Sequence, residues 1–461
     1  MVTFKIQVLQ GLEKFRRIHV RDKFLLAAGT SGMVQRLVCT ALGFLTTGLL
    51  TRMLGREAFG AWATLSVLPQ WIALADLGIG QSLIIKLGHL FGANNDRTSR
   101  MLIWSAFWTQ LAIGLICAGV IWIATSSLEV TRFFIQVDSV PAADLDKAFL
   151  WLALGTVITL PFRSYTGILM ARQRPFDCAV LGIVSAAIVF LATLVAYKAS
   201  INLLEYSAVF TFASFISCIV GLVWLFRFRF PELWKPFEVD WVEGRKLTGV
   251  GFVYFLGGIT WIINSTVDSL MLARMVGPGA VTDYNLTLKL FTLSSLITTV
   301  AGSGLASAYA EAVGRRDIAW IRSRYRVTIR SAAAAGLVSS IIIGLVTPWA
   351  VSLWSGGEAK PNPLMIVGFT FWFAVFPMNQ MIAFVLSGLN RANDMLKVGL
   401  VTTAINIPIT YLLIKTLGES GAAAGIGIAI FFAGVIYAHR KVQCAFRILD
   451  REFAQNSDSP N

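Results

Sequence analysis

The sequence predicts an all-α polytopic membrane protein, with twelve transmembrane helices in two six-helix bundles related by an internal parallel repeat. Three observations carry that reading. First, the 461 residues are 56% hydrophobic and only 14% charged, where a soluble domain carries about 25% charged residues. Apolar runs of roughly the 20 residues needed to cross the hydrocarbon core recur along the whole length. Second, residues 51–100 return as residues 273–322 at one constant offset. Arg52 aligns with Arg274, Gly55 with Gly277, Gly80 with Gly302 and Arg100 with Arg322. Two copies of one membrane unit in the same orientation give this pattern. Third, 28 of the 39 Lys and Arg fall in alternate loops on one side. Basic residues collect in cytoplasmic loops, so both termini are expected in the cytoplasm.

Residues 1–27 place basic residues between apolar ones at helical spacing, which fits a helix on the inner membrane face or a solvated tail. No short apolar segment with a small-residue cleavage site follows, so no removable signal peptide is expected. The first bundle occupies 28–226, with spans near 28–50, 58–85, 101–124, 148–170, 176–197 and 204–226. The linker at 227–247 holds Pro231, Pro236 and mixed charges. The second bundle occupies 248–439, with spans near 248–272, 281–309, 328–351, 364–388, 396–414 and 421–439. A polar cytoplasmic tail is expected at 440–461. Each half also repeats its later part: LMARQRPFDC at 169–178 matches LSGLNRANDM at 386–395, pairing Arg174 with Arg391 and Asp177 with Asp394.

Several chemistries are disfavoured. The five cysteines show no paired spacing, the three histidines show no HExxH, and no GxxxxGK[ST] is present. The short outer loops offer no gathering of acid–base groups for a glycosyltransferase or polymerase. The net charge of +14 is read as topology, so no nucleic-acid partner is expected; no cofactor is expected either.

Charges inside spans are the default site candidates, because a basic side chain at the helix centre costs about 2.5–3.5 kcal/mol. Arg36, Arg163 and Lys289 are the cations so placed, and Asp76 and Asp268 the carboxylates. Arg36 faces a cavity or snorkels to the cytoplasmic interface. Arg163 lines a cavity or satisfies the carbonyl freed by Pro161, and Lys289 lines a cavity or snorkels outward. Asp268 either pairs with Lys289 or serves ion coupling. Asp76, in LADLGIG, either holds a bend or takes a proton. Asn264 and Gln380, with Gln70 and Asn406, add neutral polarity suited to sugar hydroxyls or to helix–helix hydrogen bonds. Trp62, Trp224, Trp349 and Trp354 fit an interfacial belt, and the small residues of 421–430 fit close helix packing.

The stretch RMLGREAFGAWATLSVLPQWIALADLGIGQSLI and the six-plus-six repeat resemble the multidrug, oligosaccharidyl-lipid and polysaccharide exporter superfamily. Within it, Leu-Gly, then Phe-Gly, then ADLGIG is similar to the polysaccharide transporters. That resemblance implies a flippase in the bacterial cytoplasmic (inner) membrane. Its cargo would be undecaprenyl-diphosphate-linked oligosaccharide for O-antigen or exopolysaccharide assembly, carried by alternating access around a cationic cavity. Arg36, Arg163 and Lys289 would supply the charge, and Asn264 and Gln380 would meet the glycan. Asp76 and Asp268 would serve proton or sodium coupling, if coupling is to an ion gradient rather than to product consumption or membrane potential. The implied partners are the lipid-linked substrate, membrane lipid, and polysaccharide polymerase with chain-length machinery; a monomer is expected. An ion-coupled multidrug or cation antiporter of the same fold is the competing reading. Three intramembrane cations against two carboxylates lean toward an anionic cargo.

Overall fold

The structure is a computed structural model. It describes residues 20–76, 79–92, 96–127, 131, 134–135, 140–162, 164–172, 174–234, 241–302 and 305–455. Most of the amphipathic segment at 1–27 and the middle of the linker lie outside these residues. The described chain is helical throughout. Val20–Ile72 runs as one helix interrupted at Gly55 and supplies the first span and most of the second. The second span breaks at Ala73–Asp76 and resumes as Ile79–Gly92. Asp96–Ser127, Ala142–Phe162 with Ser164–Ala171, Pro175–Ala199 and Leu203–Val223 complete the first bundle. The second bundle is Trp241–Met275, Pro278–Gly302 with Leu305–Gly314, Ile318–Ser355, Pro363–Gly388, Ala392–Leu417, and Ser420–Ala429 with Ile430–Tyr437.

The repeat is visible in the backbone. Gly55 (φ 77°) and Gly277 (φ 121°) turn the chain between the first two spans of each half, in a region that favours glycine. Pro161 and Pro377 sit within the fourth span of each half. Arg174 (φ −115°, ψ 57°) and Arg391 (φ −107°, ψ 51°) lead into the fifth with nearly the same dihedrals. Asp177 in the first turn of one fifth span takes Arg229 at 2.6 Å, and Asp394 in the other faces Lys441 at 3.5 Å. Both sixth spans end in π-helical turns, Trp224–Arg229 and Ile430–Tyr437. Two ends can therefore be named: the Gly55 end, and the opposite Arg174 end.

Apolar side chains such as Ile116, Val195, Leu345 and Trp349 stand exposed along the spans, where lipid tails solvate them at no cost. With no hydrophobic drive between helices in lipid, close approach through small residues holds the bundles. A Cβ on Gly425 would lie 2.2 Å from Thr410 Oγ1, and one on Gly421 would lie 2.2 Å from Leu413 C. The run at 421–430 thus packs as its composition suggests. Trp62 departs from the belt reading, because it packs against Tyr206 and Phe210 inside the first bundle.

The bundles meet at the Gly55 end, and Trp241–Met275 also packs against Ile79–Gly92 and Asp96–Ser127 of the first bundle. One apolar cluster crosses the seam, joining Leu50 and Phe59 to Leu272, Val281 and Phe291. Gly60 is the tightest point: a Cβ there would lie 1.8 Å from the carbonyl oxygen of Pro278. Gly60→Val is therefore expected to leave each bundle folded but to prevent closure at this end, at a cost of about 3 kcal/mol in the closed state. Cross-linking between cysteines placed at 57 and 358 checks it; wild-type cross-linking in the variant would contradict it.

One expectation fails. The segment at 440–461 is not simply a polar tail, because Ala438–Gln455 is an amphipathic helix. Its Val442, Ala445, Phe446 and Leu449 are buried against Ile321 and Tyr325. Ile318–Ser355 has 38 residues, about 57 Å of helix, and the hydrocarbon core is about 30 Å thick. The surplus turns at Ile318 project past the membrane and pack on this last helix, with Arg322 paired to Asp450. Charge along one face hid the apolar stripe on the other.

Candidate functional site

Lys289 lies three turns into the eighth span, at the seam. Its Nζ donates to Thr47 Oγ1 of the first span. Thr47 in turn gives its hydroxyl to the Gly43 carbonyl at 2.8 Å. Among the described residues no carboxylate pairs with Lys289. An ammonium at this depth with only a hydroxyl partner keeps most of its desolvation cost. It opens onto a cavity of about 340 Å³ walled mainly by the first bundle: Thr46, Thr47, Trp62, Ser185, Tyr206 and Phe210.

Two more cavities follow. One of about 460 Å³ is lined by Trp62, Ser66, Gln70, Thr156, Phe210 and Trp261. The other, about 550 Å³ inside the second bundle, brings Asn264, Asp268 and Gln380 together with Asn379, Trp372 and Phe376. Asn264 Nδ2 donates to the Thr260 carbonyl at 2.9 Å and to Thr403 Oγ1 at 2.8 Å. Its orientation is thereby set, and Oδ1 has no donor. Asp268 is buried and accepts from Asn406 Nδ2 at 3.3 Å and Tyr284 Oη at 3.4 Å. The alternative in which Asp268 pairs with Lys289 is not what forms: the ammonium goes to Thr47 and the carboxylate to neutral donors.

The remaining candidates separate. Arg36 is exposed on the first span. It shares a helical stripe with Gly43 and Thr47, about 16 Å along the axis from Thr47, and does not line the Lys289 cavity. Arg163 lies outside the described residues. Asp76 accepts the Gly80 N–H at 3.0 Å and the side-chain amide of Gln110, whose oxygen accepts from Ser164 at 2.9 Å. These contacts fit the bend reading: one carboxylate oxygen holds the restart of the second span and the other meets Gln110 of the third. Among the described residues no three His, Cys, Asp or Glu gather in a way that holds a metal ion.

Sequence reasoning missed a clasp at the Gly55 end. Arg56 Nη2 meets Asp283 Oδ2 at 2.6 Å, and the Lys360 N–H meets Asp283 Oδ1 at 3.0 Å. Arg52 donates to the carbonyls of Leu353 at 2.7 Å and Trp354 at 3.2 Å. Thr282 Oγ1 donates to the Arg56 carbonyl at 2.5 Å, and Trp354 Nε1 to Phe44 O at 2.9 Å. Burial pushes the nearby Glu419 carboxyl up, with Asp283 adding to the rise and Arg56 opposing it. The available signal was a break in the repeat: Arg56 corresponds to Pro278, so one half carries a charge that the other lacks.

The sequence profile of a family described as polysaccharide biosynthesis protein matches residues 27–305, more than half of the chain. The chain belongs to that family. A second profile, MatE, matches residues 255–412, so the two cover both halves of the chain. No curated protein sequence matches it. Among solved structures it is similar to a multidrug resistance MATE family transporter of the MOP superfamily in an inward-facing conformation. That similarity has a TM-score of 0.77 at 16% identity, covering 89% of this chain and 96% of the other. An outward-facing conformation of a MATE family transporter gives 0.62 at 15% identity, covering 92% and 96%. A MOP superfamily transporter from Pyrococcus furiosus, described by the reverse polarity of its binding pocket, gives 0.63 at 15%, also covering 92% and 96%. The chain is a multi-pass inner-membrane protein with this fold.

Proposed function

We propose that the transporter is a flippase that moves polyprenyl-diphosphate-linked oligosaccharide across the bacterial cytoplasmic membrane. The observation that carries this reading is Lys289, a buried ammonium at the seam with no carboxylate beside it among the described residues. A diphosphate supplies the missing counter-charge through charge-assisted hydrogen bonds. The polyprenyl tail needs no pocket, because lipid is already its solvent. Arg36, further along the same stripe, meets the diphosphate on its way in. Asn264 and Gln380 meet hydroxyls of the glycan.

The excess of Lys and Arg in the Arg174-end loops supports a cytoplasmic location for that end. The seam closed by Gly60 and the Arg56 clasp then faces outward. Rocking of one bundle against the other exposes the site alternately. Asp268, buried and met only by neutral donors, is the carboxylate that takes up a proton or sodium ion. Asp268→Asn is expected to uncouple transport, lowering gradient-driven flux at least tenfold while substrate binding changes less than about threefold. Counterflow in proteoliposomes separates the two, and unchanged gradient-driven flux removes Asp268 from coupling.

One observation favours a second reading. Asp268 shares its cavity with Trp372, Phe376 and Tyr284, a combination that also suits an organic cation, and the first two structural neighbours are described as multidrug resistance transporters. Gene deletion decides. The flippase reading expects lipid-diphosphate repeat units to accumulate on the inner leaflet, detected by leaflet labelling in spheroplasts. Unchanged polysaccharide with altered sensitivity to cationic dyes hands the chain to drug export.

A further inference from the structure

The three cavities share walls. Trp62 and Phe210 line both the Lys289 cavity and the crevice that holds Gln70. Trp261 lines both that crevice and the cavity inside the second bundle. Among the described residues, charge in this lining occurs only at its two extremes, Lys289 at one and Asp268 at the other. Between them the walls are indole and phenyl rings interleaved with Ser66, Gln70, Thr156 and Asn264.

We propose that the three cavities form one track for the glycan. In it Trp62 and Trp261 stack on successive sugar rings, and the sugar farthest from the diphosphate sits in the second bundle. This rests on the flippase reading and specifies its cargo: a neutral oligosaccharide rather than a single sugar. A pyranose offers an apolar C–H face with hydroxyls around its rim. A flat indole receives the face, and neutral amides and hydroxyls, which both donate and accept, receive the rim. The wall retains unused capacity of both kinds: the indole N–H groups of Trp62 and Trp372 have no acceptor, and Asn264 Oδ1 has no donor. A hydroxyl satisfies either; a cation satisfies only the oxygen. At about 340, 460 and 550 Å³, each cavity lies in the range that holds small ligands, roughly 300–1,000 Å³.

The test measures binding of undecaprenyl diphosphate, bare and carrying one or three hexoses, to the full chain in nanodiscs by native mass spectrometry. In the wild type, affinity rises with each sugar. Trp261 is 66% exposed, so Trp261→Ala removes no core contact, and it lowers binding of the trisaccharide form by roughly tenfold while sparing the bare lipid. Trp62 packs in the core, so it is changed only to Phe, with a smaller loss of the same pattern. Lys289→Gln lowers all three forms by one common factor. Equal wild-type affinity for the three lipids, or tryptophan variants that weaken bare and glycosylated lipid alike, overturns the track. Binding of glycosylated lipids without binding of the bare lipid overturns the diphosphate reading and leaves the track standing. No binding of any form overturns both.

Discussion

Lys289→Gln is expected to abolish transport while making the protein more stable. Glutamine keeps a donor for Thr47 Oγ1, so the seam retains its innermost hydrogen bond, while the uncompensated charge disappears. Breaking up a buried charge that lacks a partner relieves desolvation, and a gain of about 1–3 kcal/mol is expected, read as a higher melting temperature in detergent. Function moves the other way. A hydrogen bond from a charged donor to an anion contributes about 1.5–3 kcal/mol, and a diphosphate engages the ammonium through more than one oxygen. Loss of transport of at least a hundredfold follows, with Lys289→Arg recovering part of it. The opposed signs are diagnostic. A lysine retained for packing would lose stability and function together; unchanged flux in the Gln variant would remove Lys289 from the site.

The double variant Arg52→Ala, Arg56→Ala is expected to open the Gly55 end. Asp283 is fully buried and Arg56 about half exposed, so without Arg56 the carboxylate keeps only the Lys360 N–H among the contacts described for it. Leaving a buried acceptor undersatisfied costs about 2 kcal/mol, which falls on the closed state alone, because separation of the bundles returns Asp283 to water. Loss of the Arg52 bonds to Leu353 and Trp354 adds to it. A shift of roughly thirtyfold or more toward the open state follows. Spin labels at 198 and 415, exposed near this end of the two bundles, report it as a longer distance population in double electron–electron resonance. A distance distribution matching the wild type would mean that the apolar seam around Gly60 closes this end unaided.

Much of the architecture was legible because it is written in local terms. The constant offset of the repeat reappears as Gly55 and Gly277, both at positive φ. The Arg174–Asp177 and Arg391–Asp394 pairing reappears as two helix starts of one geometry. Intramembrane cost picked out Lys289 without an alignment, and Asn264 and Asp268, four apart on one helix, had to share a face. What was not legible depends on contacts distant in sequence. Thr47 with Lys289, Arg56 with Asp283, and Gln380 beside Asn264 arise only when two bundles or two non-adjacent spans pack. Asp76 illustrates the limit within one element: both of its readings fit the sequence, and its partner Gln110 lies 34 residues away on the next span. The last helix went unread for a different reason, since its buried Val442, Phe446 and Leu449 are interleaved with four basic residues that dominate the local composition.

The most direct test reconstitutes the purified transporter in proteoliposomes with a fluorescent undecaprenyl-diphosphate oligosaccharide and measures its movement between leaflets. Transfer is expected to require the protein, to disappear in Lys289→Gln, and to be uninhibited by cationic dyes. Leaflet exchange no faster than in empty vesicles, with ion-driven movement of a cationic dye instead, would contradict it.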